Sequence, residues 1–149
     1  MRKFLISLLI CVLIGCVCAT IIYNGMKKDE KLAINNKEVT IYLFQVGAFK
    51  NYKNVDTITK TLNNYIVEEK DNTYFVYVGI TKDKKNIDKL HEFFNKNVNN
   101  IYVKEKKVSN INFLKYLKKY DSLLKETTNY ETIKLINKEV LNKYREECL

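Results

Sequence analysis

Tyr42-Leu43-Phe44-Gln45-Val46-Gly47-Ala48-Phe49 is an apolar and aromatic run broken by one amide and one glycine. Such a run reads as a β-strand. A second copy begins 32 residues further on, as Tyr74-Phe75-Val76-Tyr77-Val78-Gly79. With Gly47 laid over Gly79, Tyr42, Phe44 and Val46 fall on Tyr74, Val76 and Val78. Asn51 falls on Asp83, and both are favoured helix N-caps. Val55, Ile58 and Leu62 fall on Ile87, Leu90 and Phe94, a spacing of i, i+3, i+7 that marks one face of a helix. The unit is strand, glycine turn and capped helix, present twice. Two copies are too few for a solenoid and imply one pseudo-symmetric domain.

These residues resemble the SPOR domain, a bacterial envelope module that binds peptidoglycan glycan strands. The family's first strand reads aromatic, apolar, Gln, apolar, Gly, small, Phe, which Phe44-Gln45-Val46-Gly47-Ala48-Phe49 follows almost position for position. Its third strand ends in apolar-Gly, as Val78-Gly79 does. The resemblance covers residues 40–108.

Strands are expected from Thr40 to Val46, Ile66 to Lys70, Thr73 to Val78 and Ile101 to Lys107. Helices are expected from Asn54 to Tyr65 and Lys84 to Lys96, with Asp71-Asn72 as a tight turn. The order β-α-β-β-α-β is an α+β fold. Right-handed crossovers place both helices on one face of a four-stranded antiparallel sheet and leave the other face open. Period-two alternation sends Tyr42, Phe44, Val46, Tyr74, Val76 and Val78 toward the helices. It sends Leu43, Gln45, Thr73, Phe75 and Tyr77 outward, an apolar set for a solvated surface. The resemblance implies that glycan binds on that face, with roles for the positions of Gln45 and Ala48. The candidate ligand-binding residues are therefore Leu43, Gln45, Ala48, Thr73, Phe75 and Tyr77. An amide suits hydroxyl and N-acetyl groups, and aromatic rings offer stacking surface. Many members carry Arg where this chain has Phe75, and Pro where it has Ile80; loss of the guanidinium removes a strong donor.

Before the domain, Arg2-Lys3 precedes an uncharged apolar run from Phe4 to Tyr23. Twenty helical residues span about 30 Å, the thickness of a bilayer core. The basic pair predicts a cytoplasmic N-terminus and an extracytoplasmic domain. Residues 1–24 thus read as a single-pass membrane anchor. A cleaved signal ending near Cys18-Ala19-Thr20, or a lipoprotein signal at Leu13-Ile14-Gly15-Cys16, are the rival readings. Residues 25–39 read as a linker of up to roughly 50 Å. Three of the four cysteines lie in the apolar run, and the fourth, Cys148, near the C-terminus. That spacing excludes a disulfide framework or zinc site, and Cys148 reads as an inert thiol.

Residues 109–149 extend past the resemblance. Phe113, Leu117, Tyr120 and Leu124, then Ile133, Ile136, Val140 and Tyr144, mark two amphipathic helices broken near Thr127 to Asn129. A helical hairpin packed on its own domain is the expectation; if it covers Phe75 and Tyr77 it blocks the glycan face.

At 149 residues, with 46% hydrophobic and 29% charged, the chain is long enough for one folded domain plus appendages. A net charge of +9 favours anionic neighbours, although an AT-rich genome produces the same Lys and Asn bias. His91 lies on the polar side of its helix, and Glu68, Glu69 and Asp71 read as a solvated edge. No catalytic set, phosphate loop or metal spacing is present, so no enzyme, metal or cofactor is expected. The partners expected are peptidoglycan glycan strands, the cytoplasmic membrane through residues 4–23, and proteins of cell division or sporulation. A non-catalytic envelope scaffold, with its sheet covered by the last two helices, is the alternative. An RRM-like single-strand nucleic-acid binder shares the topology, but no basic-Gly pair precedes the aromatics of the third strand, and no nucleic acid partner is expected.

Overall fold

The computed structural model describes residues 38–96, 98 and 100–149. The apolar segment 4–23, the linker up to residue 37 and the first three cysteines lie outside the described residues. No helix among the described residues is long and apolar enough to cross a membrane.

The chain is α+β. Strand β1 is Val39–Phe49, followed by helix α1 at Tyr52–Thr59 and strands β2 at Ile66–Lys70 and β3 at Thr73–Thr81. A short 3-10 turn, Lys84–Asn86, leads into α2 at Ile87–Asn95; then come β4 at Tyr102–Val108, α3 at Ile111–Glu126 and α4 at Tyr130–Cys148. The four strands form one antiparallel sheet in the order β2-β3-β1-β4. The β2–β3 hairpin turns on Asp71 and Asn72, both at positive φ (51° and 57°), the pair of conformations that a two-residue turn of the right twist needs.

Both expected caps form. The Asn51 side chain accepts from Lys53 N and starts α1, and that of Asp83 accepts from Lys85 N and starts the 3-10 turn. Phe44 meets Phe94 of α2 with ring centroids 5.3 Å apart, and Tyr74 meets Tyr52 of α1 at 5.1 Å. These contacts put α1 and α2 on the face to which alternation assigned Phe44 and Tyr74.

Three expectations need correction. The glycines do not end their strands: β1 runs through Gly47 to Phe49 and β3 through Gly79 to Thr81, neither glycine at positive φ. They are small because aromatic rings lie over them. A Cβ on Gly47 would overlap the Phe49 ring, and one on Gly79 the Phe94 ring. Helix α1 stops at Thr59 rather than Tyr65. Its end is Thr57-Ile58-Thr59, β-branched residues of low helix propensity, and the Thr59 hydroxyl bonds back to Val55 O. The outer face is not left open along its length. Helices α3 and α4 pair with each other, and α4 packs on β3. Beneath them Ile41, Leu43 and Ile80 are buried in one core with Phe113, Leu117, Leu124, Val140, Leu141 and Tyr144.

Strand β2 pairs β3 only from Thr73 to Tyr77. Beyond that, the hairpin serves the uncovered edge of β3. Asn137 Nδ2 donates to Val78 O at 2.6 Å, and Lys82 N donates to Asp121 Oδ2 at 3.0 Å. Asp121 is buried, and burial pushes its carboxyl pKa up against the donors Thr81 Oγ1, Lys82 N and Asn86 Nδ2.

Candidate functional site

Register decides what meets on the outer face, because residues directly opposite in an antiparallel pair share a side. Gln45 lies opposite Tyr77 on one flank and Tyr102 on the other. Ile66 lies opposite Tyr77. One row across the sheet is therefore Ile66, Tyr77, Gln45, Tyr102, an amide between two aromatic rings. In the next row Ala48 lies opposite Phe75, and Phe75 opposite Glu68. The two rows are adjacent because β1 carries a bulge at Val46, between Gln45 and Gly47; a second bulge, at Val78 of β3, lies on the other side of the Tyr77 row. Bulges also sharpen strand twist.

The face is curled. Glu68 sits on one edge strand and Lys106 on the other, yet their side chains meet in an ion pair at 2.5 Å. A flat sheet would hold edge strands too far apart, since neighbouring strands are about 4.8 Å apart. The Lys106 ammonium also lies 5.5 Å from the centre of the Tyr144 ring. Burial alone would lower the Lys106 pKa; the Glu68 carboxylate and the Tyr144 oxygen hold it above the ordinary lysine value. Tyr77 is pushed up to about 12, first by burial and then by the Glu68 carboxylate. Glu68 Oε2 is buried without a hydrogen-bond partner, so the ion pair through Oε1 and the packing of Lys106 on the Tyr144 ring hold this closure together.

The six candidate residues fare differently. Leu43 is 1% exposed and lies in the core under the C-terminal helices, with no surface for a ligand. Gln45 and Tyr77 are brought together but largely enclosed, at 7% each. Phe75 and Thr73 are half-buried and Ala48 is exposed. The Phe75 and Tyr77 rings lie nearly parallel, 10° apart, with centroids at 6.4 Å. What is open is the end of the face at Ala48, Phe75 and Thr73, continuing to Tyr102, which is 57% exposed.

Sequence reading missed Tyr102, Glu68 and Lys106. Alternation along the fourth strand would have put Tyr102 outward. A two-residue turn at Asp71-Asn72 fixes Glu68 opposite Phe75, so the expected solvated edge is in fact split: Glu69 is exposed and Glu68 sits in the ion pair. Lys106 supplies a cation on this face of the sheet.

Cys148 is half-buried and burial pushes its thiol up to about 11, which leaves it protonated and unreactive at neutral pH. Among the described residues no group of three or more His, Cys, Asp or Glu is placed to hold a metal ion.

No family model matches the chain, and no curated protein matches it. Among solved structures, it is similar to the peptidoglycan binding domain of the B. subtilis cell wall lytic enzyme CwlC. The identity is 27%, the TM-score 0.41, and the match covers 47% of this chain and 94% of that domain.

Proposed function

We propose that this chain is a non-catalytic, extracytoplasmic module that binds peptidoglycan glycan strands, held at the cell membrane by residues 4–23. The row Tyr77-Gln45-Tyr102, with Ala48 and Phe75 beside it, carries the reading. A sugar ring presents C–H groups to aromatic faces and hydroxyls to an amide. Beside this row Ala48 is exposed and Phe75 half-buried, and Tyr102 is 57% exposed, so the open end of the face is where a sugar can reach it. The motif Phe44 to Phe49 and its resemblance to the SPOR family support the same ligand. They extend it to strands stripped of stem peptides, at a septum formed in division or sporulation.

Full-length protein in mild detergent should pellet with purified sacculi, more with amidase-stripped wall than with intact wall, and in high as well as low salt. Tyr102→Ala and Phe75→Ala should each weaken this. Tyr102 is exposed, so its variant tests the face without touching the core. Binding that disappears in high salt and ignores both variants would be charge-driven sticking and would sink the reading.

The enclosure of Leu43, Gln45 and Tyr77 favours a second reading, an envelope scaffold that keeps this fold without its ligand. Failure of the wild-type chain to pellet with either wall would select it.

A further inference from the structure

The end of the sheet away from Ala48 and Phe75 has a different character. There the turn after β3 and the outer side of α3 enclose a concavity lined by Lys82, Lys84, Lys85, Lys118 and Lys125, with Asp83, Asp121 and Ser122. Five lysines face two acids, which leaves the concavity with an excess of positive charge. Asp83 is ion-paired with Lys125, and Asp121 is buried and spent on Thr81, Lys82 N and Asn86. None of Lys82, Lys84, Lys85 and Lys118 makes an ion pair among the described residues. Four like charges drawn into one concavity repel one another unless an anion joins them.

The place of this cluster in the fold names the anion. Tyr42 pairs with Thr81, and Val39 with Val108, so the start of β1 and the turn after β3 share one end of the sheet. The chain enters the described unit at Glu38, at that same end. In sequence, residue 38 follows on from the segment 4–23 that is proposed above to lie in the membrane. The candidate glycan row is at the other end.

We propose that Lys82, Lys84, Lys85 and Lys118 form a docking site for the phosphate headgroups of an anionic membrane surface. Lysines are attracted to such a surface, and the attraction fades within a Debye length. Docked by this end, the unit presents the open face at Ala48, Phe75 and Tyr102 away from the lipid. The proposal does not require the glycan reading, because it concerns the opposite end of the sheet.

Amine-reactive footprinting of the full-length chain tests it. The protein is combined with nanodiscs of phosphatidylcholine and with nanodiscs of phosphatidylcholine mixed with phosphatidylglycerol. Labelling at each lysine is then read by mass spectrometry. Lys60 and Lys138, both exposed, are the internal reference. The expected result is several-fold slower labelling of Lys82, Lys84, Lys85 and Lys118 in anionic discs only, restored by high salt, with Lys60 and Lys138 unchanged. The comparison holds whether or not residues 4–23 enter the disc. Equal rates in the two discs would overturn the proposal. So would equal slowing at the reference lysines, which would mean general attraction of a basic protein. Slowing of the four by inorganic phosphate alone, with none added by anionic lipid, would assign the site to a free phosphate and overturn the lipid assignment. Wall pelleting is measured separately, so its failure leaves this outcome untouched.

Discussion

Beside Gly47, the outer surface of the sheet ends in exposed Ala48 and half-buried Phe75; beside Gly79, it carries Ile80, 1% exposed, under α3 and α4. The two glycines occupy equivalent places in the repeat, and each is covered on its helix side by a phenylalanine ring. What differs is the second layer. In the Gly79 half the C-terminal hairpin has converted the outer face into core, and in the Gly47 half it has not. A repeated sequence pattern therefore sets the sheet and its inner face, while a segment outside the repeat decides which outer surface stays available.

The sharpest way to break this comparison is to ask whether the hairpin is a removable cover. Leu117 on α3 is fully buried, so Leu117→Ala should cost about 2–5 kcal/mol in a denaturant titration, as core truncations do. A cost below about 1 kcal/mol would mean that the hairpin is loosely docked and the Gly79 half can open.

Gly79→Ala and Gly47→Ala test the difference between the halves directly. Phe94 is 6% exposed and wedged against Phe44 and Phe93, so its ring cannot yield to a new Cβ. Overpacking there should cost about 1–3 kcal/mol. Phe49 is only half-buried and can swing aside. The lost chain entropy of the unfolded state, about 0.4–1 kcal/mol, should offset much of the Gly47→Ala strain. Equal midpoint shifts would show that the two halves are equally constrained.

Asn137→Ala removes the donor to Val78 O and should cost about 1–2 kcal/mol, with faster hydrogen exchange along Val78–Thr81. No change would mean that the hairpin does not serve this edge.

The smallest effect is a slope with pH. Tyr77 is raised in the folded chain to about 12 from an ordinary 10.0. Its contribution to stability is present below pH 10 and is lost as pH rises through about 12. Cys148, raised to about 11, acts in the same direction, so the comparison belongs in a Cys148→Ser background. There Tyr77→Phe should lose stability less steeply than its parent over that window; identical slopes would show that Tyr77 is not sealed.

Much of this was legible in the chain. Alternation in the first and third strands assigned Phe44, Tyr74 and Val78 to the helix side, and Asp71-Asn72 fixed the hairpin register. The bulges were not legible, because Val46 and Val78 fit a regular strand as well as a bulged one. Without them Gly47 and Gly79 looked like turn residues. The hairpin itself was readable in the spacing of Phe113, Leu117 and Leu124, but an amphipathic face does not say which surface it will cover. The candidate row was half visible: Gln45 and Tyr77 were found, while Tyr102 needed the pairing of β4 with β1.

The unpaired half of β3 has one further consequence. A strand edge with bare amides and carbonyls is a template on which another molecule can add a strand. Here Asn137 and Asp121 occupy that template with side chains, which satisfy two of its groups and offer no continuing backbone. The outer edge of the sheet at β4 is guarded differently, by the charged run Lys104-Glu105-Lys106-Lys107. Copies of this chain crowded side by side would find little to extend at β4 or at the uncovered part of β3.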